Sequence, residues 1–300
     1  MTLQAPSVGG LDSAARRHMR AKRVKETAFR AALLMCLAIG IASLAALLVS
    51  VVAGGHQRIN DDLWRRFPSP RPQIAGARSA VFGTVWVVLV TGLITVPVGV
   101  GAAVYLEEFA RKDRWYNRLI EVNIQNLAAV PSIVYGILGL AFVVRGPLSL
   151  GRVVLAGSVI LALLVLPTVI IASREALRAV PSSIRDGALA LGATPLQTVT
   201  RQVLPAAAPG IATGVILALS RAMGEAAPLL LVGALTFVTF NPTGLDSAFT
   251  VLPVQIFNWI SRPQDEFHVL AAAAIVLLMT MLLTMNAVAI WVRNRFRKRW

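Results

Sequence analysis

In an otherwise apolar stretch, LALSRAMGEAAPLLLVGAL (217–235), Arg221 and Glu225 stand one helical turn apart and Pro228 follows closely. An ionised side chain at the centre of a membrane helix costs about 2.5–3.5 kcal/mol on insertion scales, so two of them in one turn need a reason. Two chemistries supply one. A guanidinium is a planar fork of donors that takes the oxygens of an oxyanion two at a time, which suits Arg221 to a path for an anion. Alternatively, residues i and i+4 on one helix face can pair, and Arg221 with Glu225 would then only hold packed helices in register. Both readings of Arg221 stay open; a carboxylate repels an anion, so Glu225 reads as the structural half. Pro228 cannot donate to the carbonyl of Gly224 and its ring presses on that turn, so the helix is expected to break beside the charges. Substrate sites in transporters often lie at such breaks.

Catalytic chemistry has less to stand on. The 300 residues hold one cysteine, Cys36, and three histidines, His18, His56 and His268, far apart and without ligand spacing. That argues against a disulfide framework, a cysteine metal site and a histidine-based catalytic centre. There is no G-x-x-x-x-G-K-[ST] and no Gly-Lys pair, so the chain is not expected to cradle ATP phosphates itself, and no cofactor is expected in it. A membrane enzyme would need converging acids, and among the apolar runs Glu225 is the only acid.

The elements that must position these charges follow from composition. The chain is 56% hydrophobic with a mean hydropathy of +0.70, too apolar for a soluble domain and fitting an all-α membrane protein. A net charge of +15 could suggest nucleic acid. The basic residues, however, lie between apolar runs near the ~20 residues a membrane helix needs, so lipid and not nucleic acid is the expected surroundings. Six transmembrane helices are expected, over Ala31–Ala53, Val81–Tyr105, Ile124–Val144, Val153–Ile171, Ile211–Leu235 and Leu270–Val292. Residues 1–30 read as a basic cytoplasmic tail, poorly ordered over 1–27. Residues 31–80 read as the first span and an outer loop, 81–292 as a five-helix core, and 293–300 as a second basic tail. Ala31–Ala53 is too long for the apolar region of a signal peptide.

Lysine and arginine set the orientation. With the N-terminus inside, the cytoplasmic segments hold 20 of them and the outer loops 8, so both termini are expected in the cytoplasm. The first outer loop, with Arg58, Arg65, Arg66, Arg71 and Arg78, is more basic than this rule favours. Pro97, with Gly92, Gly99 and Gly101, then Gly136, Gly139 and Pro167 punctuate the spans as close-packing and kink residues do.

Between the fourth and fifth spans the sequence VPSSIRDGALALGATPLQTVTRQVLP (180–205) changes in kind. Ser183 and Asp186 spell a helix start after Pro181. Ile184, Ala188 and Leu191 recur at i, i+4 and i+7 as one apolar stripe, and Gly192 ends the helix. Thr194–Pro195 is an N-cap followed by a first-turn proline; Leu196, Val199 and Val203 share a face, and Pro205 closes a second short helix. Such a pair could lie on lipid headgroups or place an apolar ridge in a partner's groove.

This loop resembles the cytoplasmic loop of bacterial ABC importer permeases, of the form E-A-A, three residues, G, nine residues, I-x-L-P. The matching residues are Asp186, Gly187 and Ala188, then Gly192, then Leu204 and Pro205; Asp replaces Glu, Gly187 the first Ala, and Gln202 the Ile. The resemblance implies that Asp186, Gly187, Ala188, Leu191, Gly192, Leu204 and Pro205, within a coupling loop at 173–205, dock a separate ATPase. NLAAVPSIVYGILGLAFVV (126–144) resembles the third span of phosphate importer permeases. SRAMGEAAPLLLVGAL (220–235) is similar to their R-A-x-G-E-T-A-P-L-L element, with Ala226 in place of Thr. LPVQIFNWISRPQDEFH (252–268) resembles the outer loop of the PstA type, and together these matches extend over about 80–292.

The resemblance implies an ABC importer permease (MetI-like) core with cytoplasmic coupling helices, in the inner membrane. It implies four partners: a homologous permease of the PstC type, an ATPase dimer of the PstB type that binds ATP and Mg, a phosphate-binding protein of the PstS type, and membrane lipids. On this resemblance Arg221 and Glu225 lie on the phosphate path or form an intramembrane pair, with the helix break at Gly224 and Pro228. A permease for another oxyanion, sulfate or molybdate, is the nearest alternative. A gradient-driven secondary transporter would not need the docking loop.

Overall fold

A computed structural model of the chain describes residues 8–111, 113–234 and 237–295. Residues 1–7 and 296–300 of the two basic tails, and Leu235 at the end of the fifth expected span, lie outside the described residues. The chain divides after Ala53 into two units.

The first unit is built on one helix, α1, Val8–Gly55. The tail expected to be poorly ordered is therefore helical from Val8 onward. The reason is local: from Val8 to Gly55 there is no proline, and Ala, Leu, Arg, Lys and Met, all strong helix formers, dominate. Within α1 the stretch from Lys25 is apolar enough to cross a membrane.

The second unit opens with a short helix, α2 (Asp61–Arg65), and then α3, a long helix from Arg78 whose last turn, Tyr105–Phe109, widens to π geometry. Next come α4 (Trp115–Ala128) and α5 (Ser132–Val144), which meet at an angle of 104°. The long helix α6 (Val154–Arg178) and the short α7 (Ser182–Ala190) lead to α8 (Pro195–Gly224). Beyond it are α9 (Ala227–Val232), α10 (Leu252–Ile260) and α11 (Asp265–Arg295). Among the described residues five helices are long and apolar enough to cross a membrane, or six if α4 and α5 count as one bent span.

The third span expected over Ile124–Val144 is thus bent at Pro131. Proline disfavours helical backbone in the residue before it, here Val130, and Pro131 itself is extended at φ −56°, ψ 137°. The polar residues of α4, Asn117, Arg118, Glu121, Asn123, Gln125 and Asn126, give way at this break to the apolar α5. The fifth expected span also shifts: α8 starts at Pro195 and stops at Gly224, and α9 is a separate turn.

The main core lies where α3, α5, α6, α8 and α9 meet, around Val87, Ile160, Val165, Ala218 and Leu229. Without water, small residues and hydrogen bonds hold such helices together. A Cβ on Gly99 would stand 2.8 Å from Val169 Cγ1, so α3 and α6 approach at a glycine. Thr91 donates to Ser158 O at 3.3 Å in the same seam. A second cluster packs Leu63, Ala75 and Ala77 against Trp259, Phe267 and Leu270, so α10 is a buried helix within the expected outer loop 236–269.

Four of the arginines between the first two expected spans have partners. The Arg58 guanidinium donates to the carbonyls of Pro72, Gln73 and Ala75 at 2.8–3.2 Å. Arg65 pairs with Asp61, Arg66 with Asp62, and Arg78 lies 5.1 Å from the Phe67 ring centre. These cations tie a turn-rich loop that has little apolar mass of its own.

Candidate functional site

Three breaks in the helices shape the interior site. α8 ends at Gly224, and Glu225 takes extended backbone (φ −79°, ψ 111°) before α9 restarts with Pro228 in its first turn. The helix breaks between Gly224 and Pro228, where proline has no N–H to give to the Gly224 carbonyl. α9 stops at Gly233, where φ is +82°. The third break is the α4–α5 elbow, and the two regions touch: a Cβ on Gly136 would stand 2.8 Å from Pro228 Cα. Tyr135 spans the elbow, its hydroxyl donating to Leu127 O at 3.0 Å. Composition singled out neither Tyr135 nor the contact of Gly136 with Pro228; the A-V-P at 129–131 was the available signal.

Arg221 sits in the last turn of α8, and its Nε donates to Glu225 Oε1 at 3.3 Å. In the isolated chain the Arg221 side chain is 51% exposed and that of Glu225 18%. Nε is one of five N–H donors on a guanidinium, and among the described residues the Nη donors of Arg221 have no partner. The pair is thus made through the side of the fork, and its open end remains able to receive an anion. Beside it, the Ser220 hydroxyl lies 2.7 Å from Ile216 O and 2.6 Å from the Asn286 side chain, fixing the last turn of α8 against α11.

The second site is the 180–205 loop. α7 begins at Ser182 with Pro181 as N-cap and no side-chain cap, so the Ser183–Asp186 helix start is not used: proline already sets the extended backbone an N-cap needs. Gly192 has φ +83°, a backbone that residues with a Cβ rarely adopt, and it ends α7 by that freedom. Thr194 caps α8 in a full capping box with Gln197. Pro205 does not close a helix, contrary to expectation. Val199–Val203 form a π turn in which the Leu204 N–H reaches back to Val199 O. The one-residue shift of register lets proline, which has no N–H to give, pass within a continuing helix.

The apolar stripe divides in two. Ile184 and Val203 pack inward on Leu106, Leu177 and Val180 and Val199 is buried, whereas Leu191 is 91% exposed and Leu189 and Leu196 are also open. Asp186 and Gly187 are exposed, and Ala188 is half-buried. Leu204 and Pro205, now inside α8, are half-buried.

Behind the loop lies a cluster that the separate segments gave no reason to join. Arg185 of α7 grips Glu108 with both arms, at 2.6 and 3.1 Å, and donates to Val180 O and Leu177 O at 2.7 and 2.9 Å. Glu108 holds the Arg185 guanidinium above its usual pKa through that bond. On α6, Arg178 pairs with Glu107 at 3.0 Å and Arg174 with Glu121 of α4 at 2.8 Å and Glu107 at 3.5 Å. A cavity of about 390 Å³ lined by Leu106, Asn117, Arg118, Glu121, Arg174 and Arg178 opens beside them.

Comparison with known proteins agrees with this layout. A family model described as "binding-protein-dependent transport system inner membrane component" matches residues 95–299. The chain is 32% identical over 235 residues to the probable ABC transporter permease protein YqgI of Bacillus subtilis, covering 78% of each chain. It is 33% identical over 222 residues to the phosphate transport system permease protein PstA of Yersinia pestis, covering 74% of each. Among solved structures, a chain of the MetNI methionine ABC transporter in an inward-facing conformation superposes with a TM-score of 0.59 at 18% identity, over 73% of this chain and 95% of that one.

Proposed function

Since the chain belongs to the binding-protein-dependent transport system inner membrane component family, we propose that it is the PstA-type permease subunit of an ATP-driven phosphate importer. With a homologous PstC-type permease it would form the path for inorganic phosphate across the membrane. The observation that carries this reading is Arg221: a cation at a helix break, paired through Nε only, with its remaining donors unspent. Phosphate carries one to two negative charges and needs such a partner inside a bilayer. The relatives named as phosphate transport permeases support the choice of anion.

On this reading the chain is a transport subunit and not an enzyme, and ATP and Mg bind a PstB-type ATPase dimer. The exposed Leu189, Leu191 and Leu196 dock that ATPase. A PstS-type binding protein delivers phosphate from outside. Affinity purification of the chain tests the assembly: an ATPase and a second permease are expected to accompany it. Their absence in every detergent would contradict the reading.

The same reading sets both termini in the cytoplasm. In a Cys36→Ala background, cysteines replacing Ser69, Ser149 or Ser247 are expected to react with a membrane-impermeant thiol reagent in intact cells. Cysteines replacing Ser13 or Ser183 are expected to stay unlabelled until the membrane is opened. The opposite pattern would overturn the orientation.

A further inference from the structure

We propose that Glu108 and Arg185 are positioning residues that join the docking loop to the α4–α5 elbow, so that movement of α7 is passed to the helix break facing Pro228. The inference rests on the reading of 180–205 as the ATPase-docking loop. Its physical basis is the path of the ion pairs. Arg185, on α7, makes a two-armed bridge to Glu108 at the π-widened end of α3. The neighbouring acid Glu107 receives Arg174 and Arg178 of α6, and Arg174 extends to Glu121 on α4, the first arm of the elbow. α4 turns at Pro131 into α5, where Gly136 lies on Pro228. A chain of charged contacts therefore runs from the docking loop to the elbow, and close packing continues it to the break beside Arg221.

The bridge is built to carry force rather than to decorate a surface. The side chains of Glu107 and Glu108 are 6% and 8% exposed, and that of Arg174 is 10% exposed, so salt screens them little. Arg185 also donates to Leu177 O in the last turn of α6 and to Val180 O just beyond it. α6 and α7 thus meet on two consecutive acids of α3, and α4 joins them through Arg174. π turns recur at functional sites, and this one sets Glu107 and Glu108 toward different partners. A helix that moves while clamped in this way must either take α4 with it or break the bridge.

The test uses the purified complex with its ATPase, in a Cys36→Ala background, with spin labels on cysteines replacing Leu119 of α4 and Ile137 of α5. Trapping nucleotide with vanadate is expected to change the distance between the labels in the wild-type background. Glu108→Gln keeps a hydrogen-bonding oxygen but removes the charge. In it the ATPase is expected to co-purify as before, while the distance change is lost and uptake per ATP hydrolysed falls about tenfold, within the roughly 5–150-fold range of coupled sites. Glu175→Gln removes an acid that, among the described residues, pairs with Arg178 on its own helix alone, and is expected to leave both readouts unchanged. Three results would overturn the joint: an elbow that responds equally in Glu108→Gln, an elbow that never responds in the wild type, or equal loss in Glu175→Gln. Loss of the ATPase from Glu108→Gln would reduce the bridge to shaping the loop. If no ATPase accompanies the wild-type chain, the docking reading fails first, and the joint with it.

Discussion

The double variant Arg221→Gln/Glu225→Gln is expected to assemble at wild-type levels and still move phosphate about tenfold to a hundredfold more slowly. Geometry separates the two roles of this pair. Breaking a buried ion pair by removing one partner costs about 3–5 kcal/mol, whereas an exposed pair is worth about 0–1 kcal/mol. With Arg221 half-exposed and Glu225 mostly covered, the penalty for either single change falls between these limits, and removing both charges relieves it. What the double variant cannot regain is the cation. A hydrogen bond to a charged group contributes about 1.5–3 kcal/mol, so losing one from the path should slow uptake about tenfold to a hundredfold. Uptake normalised to assembled complex is the measurement. Recovery to wild-type rates would reduce Arg221 to scaffolding.

The second large effect is expected at Gly192. Its φ of +83° lies where a residue with a Cβ pays roughly 1–2 kcal/mol, and no atom outside the turn stands within 4 Å of a Cβ built there. Substitution therefore acts on the backbone of the turn and on whatever docks beside the open Leu191, not on the permease core. Gly192→Glu is expected to reach the membrane in normal amount, to lose the ATPase on purification and to lose uptake about tenfold or more, since 1.4 kcal/mol is about a factor of ten. Gly192→Asn, which tolerates this backbone, should keep most of both. Retained ATPase and uptake in Gly192→Glu would remove the loop from coupling.

The two sites differ in how much of them could be read from residues alone. Gly192 and the Thr194–Pro195 cap were legible because each states a backbone requirement that few residues meet. The break at Pro228 was legible for the same reason. Pro205 misled, because the π turn at Val199–Val203 that precedes it leaves no mark in the residue types. The apolar stripe Ile184–Ala188–Leu191 had the right period, yet periodicity cannot say that Ile184 turns inward while Leu191 faces out. The elbow was marked only by Pro131 and by the polar residues of α4, which do not state the angle between the two arms. The Glu107–Glu108 cluster was hidden differently: its partners come from α4, α6 and α7, and only the fold brings them together. Charges at the ends of spans read singly as topology markers.

The central claim is that this chain carries phosphate and that Arg221 is part of the path. The most direct measurement is uptake of radiolabelled phosphate into proteoliposomes holding the purified complex, with binding protein outside and ATP inside. The expected result is ATP-dependent phosphate accumulation that excess sulfate or molybdate does not reduce and that Arg221→Gln slows about tenfold to a hundredfold. ATP-dependent uptake of sulfate or molybdate in place of phosphate, or full phosphate uptake by Arg221→Gln, would contradict it.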